Sequence, residues 1–177
     1  MDTDSLADRL ARTLRDVPDF PKPGIVFKDI TPVLGNATLF AEVTAAMAAP
    51  FRDERITHVA GIESRGFILA APVAQALGAG FIPIRKPGKL PWRSVGKSYA
   101  LEYGTDTLEM HADAFTKGSR ILLVDDVLAT GGTAAASAEL IEDVGGIVVG
   151  CSFLLEIASL RGAQRLRDRP LRFLLSA

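Results

Sequence analysis

The chain has 177 residues, 48% apolar and 23% charged, so it is long enough to bury a core as one domain without disulfides or metals. Its 20 basic and 21 acidic side chains nearly cancel, which gives no overall attraction to nucleic acid or to a membrane surface. We therefore expect neither nucleic acid nor a membrane as a partner.

The first seventeen residues are amphipathic and charged rather than basic and then apolar, so we expect no signal peptide. No apolar run approaches the roughly 20 residues that cross a bilayer. The single cysteine, Cys151, lies in the apolar run IVVGCSFLL, where a buried and unreactive thiol is expected. These features predict a cytoplasmic protein.

Apolar runs of strand length alternate with segments of helical period. The predicted strands are 56–62, 80–84, 120–125, 146–155 and 171–176, and the predicted helices lie near 38–50, 66–77, 133–144 and 160–168. Pro72 predicts a kink or a late start in the second helix. The alternation predicts an α/β fold: an open, twisted, mainly parallel sheet with helices on both faces, whose ligands bind beyond the carboxyl ends of the strands.

Two long segments do not fit this alternation. One is 19–34, DFPKPGIVFKDITPVL, which contains three prolines, and the other is 86–107 between two strands. Loops of this length in a compact domain are usually functional or disordered. Both segments are therefore candidates for parts of a binding site.

The stretch VDDVLATGGT, 124–133, has the composition of a phosphate-binding turn between a strand and a helix. Gly131 and Gly132 let a ligand approach the backbone closely, and the following helix offers unpaired N–H groups. It is neither a Walker P-loop nor a GxGxxG turn. A Gly-Gly pair alone is usually a tight turn, and Asp-Asp alone a solvated strand end. The combination favours a phosphate site.

This stretch resembles the phosphoribosyl pyrophosphate signature of type I phosphoribosyltransferases. The resemblance assigns the turn to the 5′-phosphate, and the residues of the turn are Ala129, Thr130, Gly131, Gly132 and Thr133. It places Asp125 and Asp126 against the ribose 2′- and 3′-hydroxyls, where carboxylates accept hydrogen bonds. The acids and the turn then hold different parts of one ligand, and Mg²⁺ enters on that ligand.

The signature does not stand alone. Together with three further segments, 20–34, 61–91 and 99–111, it is similar to the adenine phosphoribosyltransferases. The similarity runs from about residue 18 to about residue 160. It implies a single domain over 1–177 with the type I phosphoribosyltransferase fold, a small N-terminal hood at about 18–35 and a mobile lid loop at about 86–107. It also implies a homodimer, purine salvage, and transfer of phosphoribose from phosphoribosyl pyrophosphate to adenine, giving AMP and pyrophosphate.

The resemblance also assigns residues to the pyrophosphate. It gives this group to Arg65 and to the turn at Glu63 and Ser64, at the end of a predicted strand. The basic segment 85–101 contains no acid and suits an anion, although such a segment is more often a solvated loop. The remaining residues given to phosphoribosyl pyrophosphate are Arg85, Lys86, Lys89 and Tyr103, and Arg85 can reach the neighbouring subunit's site.

Glu102 is the general acid or base by the same resemblance, because adenine loses its N9 proton during the transfer. Adenine stacks on Phe27, packs against Ile157 on its other face, and is recognised by the backbone around Val26 and Lys28. The family usually has arginine where Lys28 stands. Backbone groups distinguish a 6-amino from a 6-oxo purine, since the two invert the hydrogen-bond pattern.

Three alternatives stay open. The base could be xanthine, hypoxanthine or a pyrimidine rather than adenine. The chain could be a regulator that binds phosphoribosyl pyrophosphate without turnover, although such a protein would need a nucleic-acid-binding extension or a strongly basic face. It could also be a nucleotide-binding domain of another purpose. We expect no protein-held metal, because His58 and His111 lack the spacing of a metal site.

Overall fold

Strands and helices alternate along most of the chain in the computed structural model, which describes residues 4–100 and 104–177. The strands are β1 Arg15–Pro18, β2 Val26–Asp29, β3 His58–Ile62, β4 Gly80–Ile84, β5 Ser94–Ala100, β6 Thr105–His111, β7 Arg120–Leu128, β8 Ile147–Glu156 and β9 Leu171–Ser176. The α-helices are α1 Leu6–Thr13, α2 Thr31–Leu34, α3 Ala37–Ala48, α4 Arg65–Leu77 and α5 Gly132–Asp143. Short 3-10 helices cover Ala49–Phe51, Ala158–Leu160 and Gly162–Leu166.

A five-stranded parallel sheet forms the centre, with its strands in the order β4-β3-β7-β8-β9. This confirms the predicted α/β fold, and each of its five strands overlaps a predicted one. β7 pairs with both β3 and β8, so the carboxyl ends of these three strands lie side by side. The segments that follow them are thereby brought to one edge of the sheet.

The core lies on both faces of the sheet because side chains alternate along β7. Ile121 and Leu123 pack toward α5 and β6, whereas Leu122 and Val124 pack toward α1, α3 and α4. All four are fully buried. Continuous apolar runs of this kind are expected in strands covered by helices on both sides. None of the helices in 4–100 and 104–177 is long and apolar enough to cross a membrane.

The helices differ at their amino ends in a way that matters for binding. Ser5 caps α1 and Asn36 caps α3, each accepting a hydrogen bond from a first-turn N–H. Ser64 before α4 and Gly131 before α5 provide no side-chain cap. Their first-turn N–H groups are therefore available to an anion, and both helices begin at the carboxyl edge of the sheet.

Three sequence predictions need correction. The segment 86–107 is not a plain loop, because it contains β5 and the start of β6, which pair antiparallel. The helix predicted near 160–168 is two short 3-10 helices, interrupted at Arg161, whose φ of 53° is left-handed. The helix predicted over 66–77 begins at Arg65 and continues through Pro72, so Pro72 does not delay its start.

Candidate active site

A cavity of about 530 Å³ opens at the carboxyl edge of the sheet. The predicted site residues that line it are 26–28, 63–65, Lys86, Asp125, Asp126, 129–133 and Ile157. They come from β2, the β3–α4 junction, the residues after β4, the β7–α5 connection and the residue after β8. The fold thus brings segments more than a hundred residues apart in sequence into one wall.

The phosphate turn is held in shape by a close contact with the 3-10 segment after β8. Gly131 has a φ of 79°, and a Cβ built there would lie 2.4 Å from the carbonyl oxygen of Gly162. A Cβ built at Gly162 would lie 2.2 Å from the carbonyl oxygen of Ala129. Both positions therefore require glycine, and the turn presents its backbone N–H groups beside the uncapped start of α5.

The two acids of the signature lie within β7 and near its end. Asp126 is buried, and its Oδ2 lies 2.5 Å from Nε of Arg65. That contact is an ion pair, yet Oδ2 accepts no hydrogen bond of normal geometry within the described residues. Burying a carboxylate oxygen without a hydrogen bond is costly, and the positive charge of Arg65 offsets part of that cost.

The carboxylate of Asp125 is closely surrounded by backbone atoms. Its Oδ1 accepts a hydrogen bond from the N–H of Asp126 at 2.9 Å, and a Cβ built at Gly66 would lie 2.7 Å from the same oxygen. Burial, together with the neighbouring charge of Asp126, raises the pKa of Asp125 well above its usual value. This close approach explains why residue 66, which follows Arg65, is a glycine.

The apolar end of the cavity is built around Phe27 on β2. The guanidinium of Arg65 lies over its ring, 4.6 Å from the centroid, and Phe20 meets it edge-on at 5.1 Å. Nζ of Lys28 is 2.7 Å from Asp16, so its charge is already paired. Ile157 follows β8, where its N–H donates to the carbonyl of Leu128 at 2.9 Å. The arrangement offers one aromatic face and an aliphatic side chain for a flat heterocycle.

Known proteins match this chain over nearly its whole length. The model of the phosphoribosyl transferase domain matches residues 32–171. An adenine phosphoribosyltransferase of Myxococcus xanthus (strain DK1622) is 62% identical over 169 residues, which cover 95% of this chain and 91% of the relative. The chain belongs to the adenine phosphoribosyltransferase family.

Solved structures of the family have the same fold. The adenine phosphoribosyltransferase of Rhodothermus marinus is 53% identical with a TM-score of 0.93, and the match covers 97% of this chain and 98% of that one. The enzyme from Saccharomyces cerevisiae, solved with an imino-altritol bisphosphate and adenine, is 38% identical with a TM-score of 0.90 over 96% and 98% of the two chains. The type I phosphoribosyltransferase fold is thereby confirmed for this chain.

The basic residues assigned to phosphoribosyl pyrophosphate in the adenine phosphoribosyltransferase family divide into two groups here. Lys86 lines the cavity, but Arg85 and Lys89 do not. Both instead pair with the carboxylate of Glu63, which also accepts a hydrogen bond from the N–H of Lys86 at 3.1 Å. Its burial opposes ionisation, yet these three donors outweigh it and lower the pKa of Glu63. The side chain of Glu63 therefore fixes the positions of Arg85, Lys86 and Lys89 relative to one another.

Glu102 and Tyr103 lie outside the described residues, so their predicted roles stay predictions. Six cavity residues were missed by sequence reasoning: Ile25, Ile62, Val127, Leu128, Ala134 and Leu160. Two of them, Ile25 and Leu160, are 45% and 48% exposed. An isolated exposed aliphatic residue carries no signal in a sequence. Gly162 was missed as well, because only its contact with the turn, thirty residues away, reveals why it is glycine.

Proposed function

We propose that the chain performs the reaction of its family in the cavity at the carboxyl edge of the sheet. It transfers phosphoribose from 5-phospho-α-D-ribose 1-diphosphate to adenine, giving AMP and pyrophosphate, a step of purine salvage. The observation that carries the placement is the meeting of two uncapped helix starts, an acid pair of which Asp126 is buried, and an aromatic ring around one cavity. An anionic sugar and a flat base need these three features together.

The phosphoribose occupies the wall formed by β7 and the turn after it. Backbone N–H groups at 129–133 hold the 5′-phosphate, while Asp125 and Asp126 accept hydrogen bonds from the ribose hydroxyls. The place of both acids at the end of β7, on the cavity wall beside the turn, supports this role. The same carboxylates favour positive charge that develops on the sugar.

The pyrophosphate lies at the start of α4, next to Ser64, Arg65 and Lys86. N9 of adenine attacks the anomeric carbon as the bond from that carbon to the pyrophosphate oxygen breaks. The guanidinium of Arg65 and the ammonium of Lys86 stabilise the negative charge of the leaving group. Most of the acceleration comes from positioning and electrostatics.

Glu102 accepts the N9 proton in this scheme. A positioned proton transfer contributes about 10²–10⁴ to the rate. Adenine lies between Phe27 and Ile157, with the backbone at Val26 and Lys28 reading its edge. The ion pair of Lys28 with Asp16 supports recognition by backbone, since it occupies the side-chain charge elsewhere.

Mg²⁺ enters as part of the phosphoribosyl pyrophosphate substrate. Within 4–100 and 104–177 no group of three or more His, Cys, Asp or Glu side chains has the arrangement of a metal site. The hard oxygens of Asp125 and Asp126 suit a cation near the ribose. When bound, Mg²⁺ neutralises part of the pyrophosphate charge.

The segments outside the central sheet complete the site. Residues 18–35 act as a hood, because β2 supplies Val26, Phe27 and Lys28 to the cavity wall. Residues 86–107 act as a lid that excludes water from the activated sugar. The active form is a homodimer, to which Arg85 contributes across the interface, and it acts in the cytoplasm.

The test is pyrophosphate release by the purified protein with Mg²⁺ and phosphoribosyl pyrophosphate, comparing adenine, hypoxanthine and no base. We expect release that depends on adenine and that falls at least roughly a hundredfold in Glu102→Gln. Glu139→Gln is the matched control, because Glu139 is a half-exposed carboxylate on α5 that pairs with Lys97. It should leave the rate unchanged.

Each other result removes a different part of the proposal. Adenine-dependent release that survives Glu102→Gln keeps the reaction and removes the acid/base. Equal rates with hypoxanthine remove the preference for adenine. Saturable binding of phosphoribosyl pyrophosphate without release on any base would make a regulator the better explanation.

A further inference from the structure

Two side chains not discussed so far, Tyr99 and Asp106, connect two parts of the cavity wall. With their partners Lys86 and Thr133 they form a chain of contacts that we call the bridge. The hydroxyl of Tyr99 on β5 donates to Oδ2 of Asp106 on β6 at 3.2 Å and lies 3.1 Å from Oγ1 of Thr133. The same oxygen of Asp106 pairs with Nζ of Lys86. Lys86 and Thr133 line the cavity, whereas Tyr99 and Asp106 are not among its lining residues.

The bridge is rigid for two reasons. Tyr99 and Asp106 face each other directly in the antiparallel pair, and Oδ1 of Asp106 accepts the N–H of Thr107 at 2.8 Å. The ring of Tyr99 also packs on the phosphate turn, since a Cβ built at Gly132 would lie 3.7 Å from its Cδ2. A tyrosine and an aspartate held in this way fix the relative positions of the groups that they contact.

The direction of the hydrogen bonds is also informative. An ionised aspartate only accepts, so the single hydroxyl proton of Tyr99 goes to Asp106, and the hydroxyl of Thr133 donates to the phenol oxygen. The hydrogen bond from Lys86 outweighs partial burial and lowers the pKa of Asp106, which keeps this aspartate ionised. The hydroxyl proton of Thr133 is thereby committed to Tyr99, so the turn meets a phosphate with its backbone N–H groups.

We propose that Tyr99 and Asp106 are positioning residues for phosphoribosyl pyrophosphate. They hold Lys86 at the pyrophosphate end of the substrate and the first turn of α5 at the 5′-phosphate end, at the separation that one molecule requires. This inference rests on the proposed placement of that substrate in the cavity. It assigns a function to the β5–β6 pair that is separate from covering the site.

The experiment measures kcat and the KM of each substrate for Tyr99→Phe and Asp106→Asn. Tyr99→Phe keeps the ring on Gly132 and removes one hydroxyl, so the KM of phosphoribosyl pyrophosphate should rise about 3- to 10-fold. Asp106→Asn keeps the shape of the side chain and removes the charge that holds Lys86. The KM of phosphoribosyl pyrophosphate should therefore rise about 10-fold or more in this variant. The KM of adenine should change less than about twofold, because neither residue contacts the base pocket.

Ser98→Ala is the matched control. Ser98 lies next to Tyr99 on β5, and its hydroxyl is 2.9 Å from Oγ1 of Thr107 on the exposed side of the same strand pair. Its loss should leave both KM values unchanged. Thermal melting of every variant without substrate should stay within a few degrees of the parent, because the hydrogen bonds and the ion pair that are lost are exposed or half-exposed.

The double variant Tyr99→Phe/Asp106→Asn adds a second criterion. Both residues act through one bridge, so the double variant should lose about as much as Asp106→Asn alone. The inference is overturned if the KM of phosphoribosyl pyrophosphate is unchanged, if the KM values of both substrates rise equally, or if the two effects are fully additive. A parent protein without adenine-dependent pyrophosphate release would instead reject the proposed function, so the two failures are distinguishable.

Discussion

At the scale of single residues, Asp125 shows how a binding site lowers stability. Burial and the charge of Asp126 raise its pKa in the folded chain, whereas in the unfolded chain it has an ordinary value. The folded state therefore binds a proton that the unfolded state has already released. With that sign, the contribution of Asp125 to stability is highest below its unfolded pKa and is lost as the pH rises through its folded pKa.

Asp125→Asn should consequently raise the melting temperature of the protein without substrate at pH 7–8 by a few degrees, since about 1 kcal/mol corresponds to roughly 2–4 °C in a chain of this size. The difference should shrink as the pH falls and vanish below the ordinary aspartate pKa of about 4, where the side chain is protonated in both states. Differential scanning calorimetry across this range measures the effect. The same substitution should lower activity, because the amide presents an N–H₂ where a carboxylate oxygen would accept a ribose hydroxyl.

Asp168→Asn serves as the control for Asp125, because Asp168 is exposed. Its melting temperature should follow the parent at every pH. A difference between Asp125→Asn and the parent that does not vary with pH, or a loss of stability at pH 8, would contradict the assignment of a raised pKa to Asp125.

At the scale of elements, the shape of the phosphate turn depends on the 3-10 segment Gly162–Leu166. Gly162→Ala would place a methyl group 2.2 Å from the carbonyl oxygen of Ala129, so the turn must move. We expect a loss of about 1–3 kcal/mol in unfolding free energy and a rise of about tenfold or more in the KM of phosphoribosyl pyrophosphate, equivalent to about 1.4 kcal/mol of binding. Steady-state kinetics and urea unfolding measure the two effects.

Gly35→Ala is a suitable control for Gly162→Ala. Gly35 has a φ of −74°, and a Cβ built there would lie 3.4 Å from the carbonyl oxygen of Thr31, an ordinary contact. Gly35→Ala should change the unfolding free energy by no more than a few tenths of a kcal/mol and should leave the KM of phosphoribosyl pyrophosphate unchanged. An unchanged KM in a folded Gly162→Ala protein would show that the turn does not depend on this contact.

The elements that sequence predicted well are those whose signal is local. The apolar run 120–125 and the order of strand, turn and helix from 120 to 144 are signalled by adjacent residues, and the structure has both. The β5–β6 pair was missed because Val95, Lys97 and Tyr99 alternate with exposed residues in a segment that reads as basic and polar. The helix near 160–168 was wrong because helical spacing cannot show the left-handed backbone at Arg161.

The part of the site that sequence could not predict depends on contacts between distant segments. Segment 85–101 has no acid, so its cations were predicted to be free for an anion. In the structure Glu63 pairs with Arg85 and Lys89, and Asp106 pairs with Lys86. Such pairs join residues about twenty positions apart, and only the folded chain brings them together.

At the scale of the whole molecule, an apolar surface lies at the edge of the central sheet. Phe81 on the edge strand β4 is 39% exposed, and Ile68 on the adjacent α4 is 43% exposed. Phe67 meets Phe81 edge-on at 5.7 Å, and the guanidinium of Arg85 lies 5.9 Å from the ring of Phe67. Exposed apolar side chains on neighbouring elements, next to a cation, are typical of a protein interface.

We therefore expect the homodimer to form through this surface. In sedimentation velocity the parent should be a dimer, whereas Phe81→Glu and Ile68→Glu should each shift it toward monomer, because a buried unpaired carboxylate at an interface costs several kcal/mol. The control is Ile147→Glu, at the amino end of β8, which is 48% exposed and away from the cavity. If Arg85 acts on the neighbouring site, both monomeric variants should also lose activity while melting normally. A fully active monomeric parent would reject the homodimer, and dimers that persist in both variants would place the interface elsewhere.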